Sequence, residues 1–451
     1  MIFRDLFRDR DFNRKLLQLS FPIALQNLML ALVAAADALM LGKVEQNAMT
    51  AVSLATQIQF VQNMIIWAIV GGVGILGAQY WGKQDKVVLG KIFGISIRQS
   101  LVVSGAFFIG CYFFPKQLMH LFAHDVVLVE KGAEYLRVAS WSYLITGVSQ
   151  CYLAIMKVSE HTSRSAWISS GAVILNILLN AIFIFGLLGM PAMGVKGAAL
   201  ATVFARIMEL GWCVISSWQK SFIRLKLSTI VTFDRLLVAD FWRCSLPIFG
   251  AGMLWGIGFT SYTAVMGHLG QDAAAANSIA AVVRDLMCCL CNGFAGAAGI
   301  LIGNELGAGD LEKGRLYGDR LLIIGFLTGL ACTVVILAVI PLFTHFLKLT
   351  EQAQSYVVGM FVILSIYMIG RSFCTIVING VFWAGGDTFF DVYSLIVCMW
   401  GIALPCAFLG AFYFHLPVLV VYACTCLDEV GKIPWVVAHF YRYKWVRNIT
   451  R

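Results

Sequence analysis

The chain has 451 residues, of which 60% are hydrophobic and only 13% charged, with a formal net charge of +9 and a mean hydropathy of +0.83. Soluble domains carry about 25% charged residues and under half apolar ones, so this composition excludes a water-soluble globular protein and makes lipid the solvent. A span takes about 20 apolar residues plus a short connection, so the length holds roughly twelve spans and leaves no room for a sizeable soluble domain.

The opening stretch MIFRDLFRDRDFNRK alternates its charges, and no small-residue cleavage site follows it, which argues against a signal peptide. It reads as an amphipathic cytoplasmic helix lying on the membrane, with Phe3, Leu6 and Phe7 on one side. Apolar runs between charge clusters then predict spans near 16–41, 52–80, 92–114, 132–156, 167–188 and 197–218. A second set follows near 240–266, 275–303, 321–340, 354–382, 391–412 and 416–438. With both termini inside, the cytoplasmic segments hold about 24 of the 33 Lys and Arg, against about six outside. The positive charge is therefore a topology signal, and no nucleic-acid partner is expected.

The longest polar break, 219–239, separates an expected N-lobe (1–225) from an expected C-lobe (226–451). Aligning Ser20 and Pro22 with Ser245 and Pro247 brings Gly42 onto Gly267, Gln46 onto Gln271, and Ala51 and Ser53 onto Ala276 and Ser278 without a gap. The same alignment lays GGVGILGAQYWGKQD (71–85) over GAAGILIGNELGAGD (296–310). Roughly a quarter of the aligned positions are identical, which marks an internal repeat. Each half holds an even number of spans, so the repeats run parallel. The fold class expected is an all-α integral membrane protein: twelve transmembrane helices in two six-helix lobes related by a pseudo-two-fold axis along the membrane normal.

Within the predicted spans the ionisable residues singled out are Asp37, Arg206, Glu209, Arg284, Asp285 and Arg371, three acidic and three basic. A charge near the bilayer centre costs about 2.5–3.5 kcal/mol on insertion scales, so each needs a partner or a cavity. Asp37 lies roughly 8 Å below the outer end of the first span, Thr202 roughly 8 Å below that of the sixth, and Asn180 roughly 12 Å below that of the fifth. Asn176 and Asn180 are four apart and share a helix face. Arg206 and Glu209, three apart, are expected to pair. Arg284 and Asp285 are adjacent and are expected to point in different directions. Tyr262 occupies the repeat position of Asp37, so the second half lacks a copy of that carboxylate. Arg371 lies deep in the tenth span, with packing and cavity roles both open.

Thirteen cysteines lie in apolar runs and read as small packing residues, with neither disulfides nor a zinc site expected. GAGD at Asp310 and GGDT at Asp387 read as turns at helix ends. Nothing resembles a Walker A loop, HExxH or GxSxG, so neither an enzyme nor an ATP-driven pump is expected.

In order and spacing, several motifs resemble the MATE (multidrug and toxic compound extrusion) family of the MOP superfamily, over nearly the whole chain. They are the SFP-type opening of both halves, AADALMLGKV after the first, the glycine-rich second helix running into GKQD, GNELGAGDLEKGR after the eighth span and WAGGDT after the tenth. The resemblance implies alternating access to a central cavity and export driven by proton or sodium influx. In prokaryotic members an aspartate on the first helix carries the coupling cation. Asp37 matches it, Asn176 and Asn180 match an Asn and an Asp four apart, and Thr202 matches a threonine. Asn180 departs from the many relatives that have aspartate there. One carboxylate instead of two suits a proton better than sodium, whose sites gain from negative oxygen ligands.

The resemblance thus implies a secondary-active antiporter that exports small amphipathic, cationic, drug-like compounds in exchange for H+ (or Na+). It would act as a monomer in the lipid of the bacterial plasma membrane, with both termini cytoplasmic and no cofactor beyond the coupling ion. Met253, Trp255, Tyr262, Arg284 and Asp285 are the candidate substrate-cavity residues, the aromatic ones suited to planar cations. The alternative is a flippase or exporter of lipid-linked or other metabolites on the same fold, which the lack of a basic cluster at mid-membrane disfavours.

Overall fold

The computed structural model describes residues 9–44, 46–219, 222–232, 234–346 and 350–451. The amphipathic stretch read at Phe3, Leu6 and Phe7 lies outside the described residues. Every regular element among those described is helical. In chain order the long helices are α1 (Arg10–Val44), α2 (Gln46–Gly82), α3 (Lys86–Phe113), α4 (Val126–Val158), α5 (Thr162–Phe185) and α6 (Gly194–Ser217). They are followed by α7 (Arg235–His268), α8 (Gln271–Ala308), α9 (Leu311–Phe346), α10 (Glu351–Phe382) and α11 (Phe389–Tyr413). The twelfth span is broken into three short helices, Val418–Thr425, Leu427–Val430 and Ile433–Phe440. Each predicted span falls on one of these elements, and two lobes of six spans result. Among the described residues, ten helices are long and apolar enough to cross a bilayer by length and composition alone. The remaining two spans are α4, charged in its first half at Glu130, Lys131, Glu134 and Arg137, and the interrupted twelfth.

Local chemistry sets many of the boundaries. Asp85 accepts a hydrogen bond from the Val88 N–H and caps α3, Asp125 does the same for α4 through Val127, and Thr350 caps α10 through Ala353. Pro22 and Pro247, at equivalent places in the repeat, lie inside α1 and α7; neighbouring helices in a membrane bundle re-satisfy the backbone groups a proline frees. α10 and α11 contain π-helical stretches at Thr375–Phe382, Ile396–Ala403 and Leu409–Tyr413, the last two flanking Pro405. Such wide turns insert a residue into the helix and turn side chains to faces a regular helix would not present.

Packing defines two compact units. One runs Leu25–Ser245, with α4 packed on α2, α3 and α6 around Leu41, Cys111, Leu136 and Tyr143. The other joins the described residues up to Ala24 to Leu246–Arg451. Its α8 packs on α9 and α10, and one of its cores gathers Phe12, Leu16, Leu301, Val377, Phe382, Phe440 and Trp445. The units therefore part from the 225/226 division that the repeat suggests. The start of α1 packs with α8 to α10, and the start of α7, as far as Ser245, packs with the first unit.

Candidate functional site

In the Leu25–Ser245 unit, α5 and α6 are drawn together by small residues. A Cβ on Gly197 would lie 2.6 Å from the Phe183 carbonyl oxygen, so only glycine permits that approach. Gly186 ends α5 in the left-handed conformation (φ +71°), which turns the chain into the connection to α6. This close pairing sets Asn176 and Asn180 of α5 against Thr202 of α6. Asn176 donates from Nδ2 to Thr202 Oγ1 at 3.3 Å, and Asn180 donates to Asn176 Oδ1 at 3.1 Å. Asn180 Nδ2 also lies 2.5 Å from Asp37 Oδ1 of α1, a charge-assisted contact. Thr202 in turn donates to the Ala198 carbonyl at 3.1 Å. Asp37, Asn180 and Thr202, expected at similar depth, thus form one hydrogen-bonded chain with Asn176 across three helices. Asn180 is fully buried, and its Oδ1 has no hydrogen-bond partner.

One turn along α6 from Thr202, Arg206 lies close enough to Asp37 for their charges to interact. Arg206 Nη1 donates to Glu209 Oε2 at 2.7 Å, the pairing their spacing suggests, and Ser149 of α4 donates to the same oxygen at 3.1 Å. Lys157 of α4 adds a second positive charge near Glu209. The lone carboxylate of the hydrogen-bonded chain therefore faces a guanidinium that is itself already paired.

The other unit contains a small cavity whose lining includes Phe259, Tyr262, Asn277, Arg284, Tyr367 and Asp428. Of the candidate cavity residues, Tyr262 and Arg284 line it. Trp255 does not: it stacks on Phe259, with ring centroids 5.1 Å apart, and has Arg371 5.8 Å from its own centroid. Met253 is partly exposed and outside the lining. Arg284 sits 4.0 Å over the Phe259 ring, a cation–π contact. The expectation that Arg284 and Asp285 diverge is incorrect. Arg284 donates from Nε and Nη2 to Asp285 Oδ1 at 3.0 and 2.9 Å, because the long arginine side chain folds back along α8 to its neighbour. Asp285 itself is largely exposed.

The charge count expected for the spans also needs correction. The twelfth span carries Asp428, Glu429 and Lys432, all at most 2% exposed. Glu429 Oε1 receives Arg371 Nη1 at 2.5 Å and Lys432 Nζ at 3.4 Å, which resolves the open role of Arg371 as an ion-pair partner inside the lobe. These residues were legible as three charges within five positions of an apolar run; their partner on α10 was not. Asp391 of α11 is likewise buried and lies near Lys432. All thirteen cysteines are free thiols.

This architecture defines a multi-pass α-helical membrane transporter of two six-helix lobes. A model of the MatE family matches residues 22–182 and 247–409, once in each half of the repeat. The chain belongs to that family: it is a MATE family efflux transporter. Its relatives include the "Uncharacterized transporter YisQ" of Bacillus subtilis, 24% identical over 98% of this chain and 95% of that protein. The "Probable multidrug resistance protein NorM" of Thermotoga maritima is 22% identical, over 97% of this chain and 94% of that one. Among solved structures, an outward-facing multidrug resistance MATE family transporter superposes with a TM-score of 0.86 at 18% identity, covering 96% of this chain and 97% of its own. The Vibrio cholerae MATE transporter VcmN gives 0.87 at 15% identity, covering 96% of both chains. At such identities the structural likeness carries the fold alone.

Proposed function

We propose that this chain exports small amphipathic, cationic, drug-like compounds in exchange for protons, with Asp37 as the proton carrier. On this reading it works as a monomer in the bacterial plasma membrane, with both termini in the cytoplasm. The observation that carries the reading is the hydrogen-bonded chain from Asp37 through Asn180 and Asn176 to Thr202. Asn180 and Asn176 both spend amide N–H groups inside that chain, so its polar capacity is arranged around a single carboxylate. Sodium favours several negative oxygen ligands, and this hydrogen-bonded chain offers a single carboxylate. A proton meets no such requirement, since it binds one oxygen and removes the charge. The unpartnered Asn180 Oδ1 is available to accept a hydrogen bond from the protonated carboxyl after a small side-chain adjustment. The NorM relatives, named as probable multidrug resistance proteins, support drug-like substrates.

The test is efflux of ethidium from pump-deficient bacteria that express the protein or its Asp37→Asn variant. The proton gradient is kept or collapsed, with and without sodium. Efflux that needs Asp37 and stops when the proton gradient is collapsed is the expected outcome. Sodium-restored efflux after that collapse would transfer the coupling to sodium. Well-expressed proteins that move no dye would remove the cationic-drug reading.

A further inference from the structure

The second lobe buries a carboxylate that the ion pairs around it do not use. Asp428 is 1% exposed, lines the cavity, and has an Oδ1 with no hydrogen-bond partner. It lies about ten residues from either end of the twelfth span, roughly 15 Å deep. The two nearby cations, Arg371 and Lys432, both direct their contacts to Glu429. The Tyr262 hydroxyl, which lines the same cavity, is also buried and unpartnered, and lies near enough to Asp428 to feel its charge. Two orphaned polar groups therefore face one small cavity.

The repeat gives this pair a meaning. Tyr262 holds the repeat position of Asp37, and Asp428, like Thr202, stands on the last span of its lobe. Lys432 follows Asp428 by four positions, as Arg206 follows Thr202. Each lobe thus carries a cation on its last span one turn beyond a polar position, Thr202 in the first lobe and Asp428 in the second, and each cation is already paired with a glutamate. We propose that Asp428 is a second proton-binding carboxyl, which exchanges its proton through the second-lobe cavity with Tyr262 as its hydrogen-bonding neighbour.

The charges around Asp428 leave room for one more positive charge. The groups that face Asp428 are Tyr262 from α7, Arg284 from α8, Tyr367 and Arg371 from α10, and Cys398 from α11. From its own span come Cys426, Glu429 and Lys432. Asp391 of α11 adjoins Lys432, and Asp285 is held by Arg284. With every acid and base ionised, the cluster has Arg284, Arg371 and Lys432 positive and Asp285, Asp391, Asp428 and Glu429 negative. One added positive charge makes it neutral, and a proton supplies it on a single oxygen, with no shell of several oxygen ligands to assemble. Protonation also gives Asp428 an O–H donor, which is what an unpartnered tyrosine oxygen can accept.

The proposal does not depend on the role of Asp37, and its test needs no transport. Purified full-length protein in lipid nanodiscs is titrated while the infrared carbonyl stretch of protonated carboxylic acids is followed. The Asp428→Asn variant should lose one such band, and Asp37→Asn should retain it. Tyr262→Phe, which keeps the ring and removes only the hydroxyl, should shift the frequency or the pH midpoint of the same band. A band that persists unchanged in Asp428→Asn overturns the proposal. If that variant does not fold, Asp428→Glu and Tyr262→Phe carry the test, and identical frequency and midpoint in both would overturn it equally. Loss of coupled efflux in Asp37→Asn with the Asp428 band intact supports both readings, while efflux that survives without Asp37 sinks only the first.

Discussion

Replacing Glu429 by leucine removes the one carboxylate on which Arg371 and Lys432 converge. The contacts are 2.5 Å and 3.4 Å, and the Arg371, Glu429 and Lys432 side chains are 18%, 2% and 3% exposed. At an effective dielectric of about 20, attractions at these distances amount to roughly 5–7 kcal/mol each. Most of that only offsets the desolvation of three charges, so the net value of the network is small. Breaking it from one side is different, because two cations then remain buried without their counter-charge. The expected loss is about 3–5 kcal/mol, read as a melting temperature several degrees lower in detergent by intrinsic fluorescence. The triple replacement Arg371→Met, Glu429→Leu, Lys432→Met removes the charges together and should recover most of the loss, as apolar substitutes for buried ion pairs often do. A Glu429→Leu protein that melts with the wild type would refute the argument. So would a triple variant less stable than the single one, since it would show the network to be net stabilising.

The contact between α5 and α6 depends on Gly197. Gly197→Ala sets a Cβ against the Phe183 carbonyl and should cost about 1–3 kcal/mol. It should also impair efflux by separating Asn176 from Thr202, whereas Gly211→Ala, which meets open space, should change neither melting nor efflux. Trp445 is fully buried, and its indole N–H donates to the Phe440 carbonyl at 3.2 Å. Trp445→Ala should cost about 3–5 kcal/mol and make the C-terminal tail cleavable in limited proteolysis. Ahead of α1, Asp9 accepts from Arg320 Nη1 at 2.6 Å and from the Phe12 N–H at 3.1 Å. The hydrogen bond from Arg320, with that from Phe12, holds the Asp9 carboxyl below the usual carboxylate range. Its stabilisation is therefore present above the unfolded value of about 3.9 and is lost as pH falls through the lower folded value. The melting-temperature gap between wild type and Asp9→Asn should hold steady near neutrality and close only in strong acid.

Twelve apolar runs, a polar break at mid-chain and a gapless repeat were all legible in the sequence, because hydrophobicity and chain period are local properties that lipid enforces span by span. Counting residues from the span ends put Asp37, Asn180 and Thr202 at comparable depth, but depth says nothing of azimuth. Only the close approach of α5 and α6 at Gly197 turns them onto one another. The same distinction governs the second lobe. The charges of Asp428, Glu429 and Lys432 stand in the sequence, yet whether each is paired or orphaned depends on Arg371, more than fifty positions away on another helix. Likewise Arg284 and Asp285 pair through a side-chain torsion that spacing along α8 could not give, and the openings of α1 and α7 pack with the unit opposite to the one the repeat suggests. Sequence determined which segments enter the membrane and which polar groups they carry there. Tertiary structure decided which of those groups meet, because in a low-dielectric interior a few ångströms separate a satisfied charge from one that must find a proton.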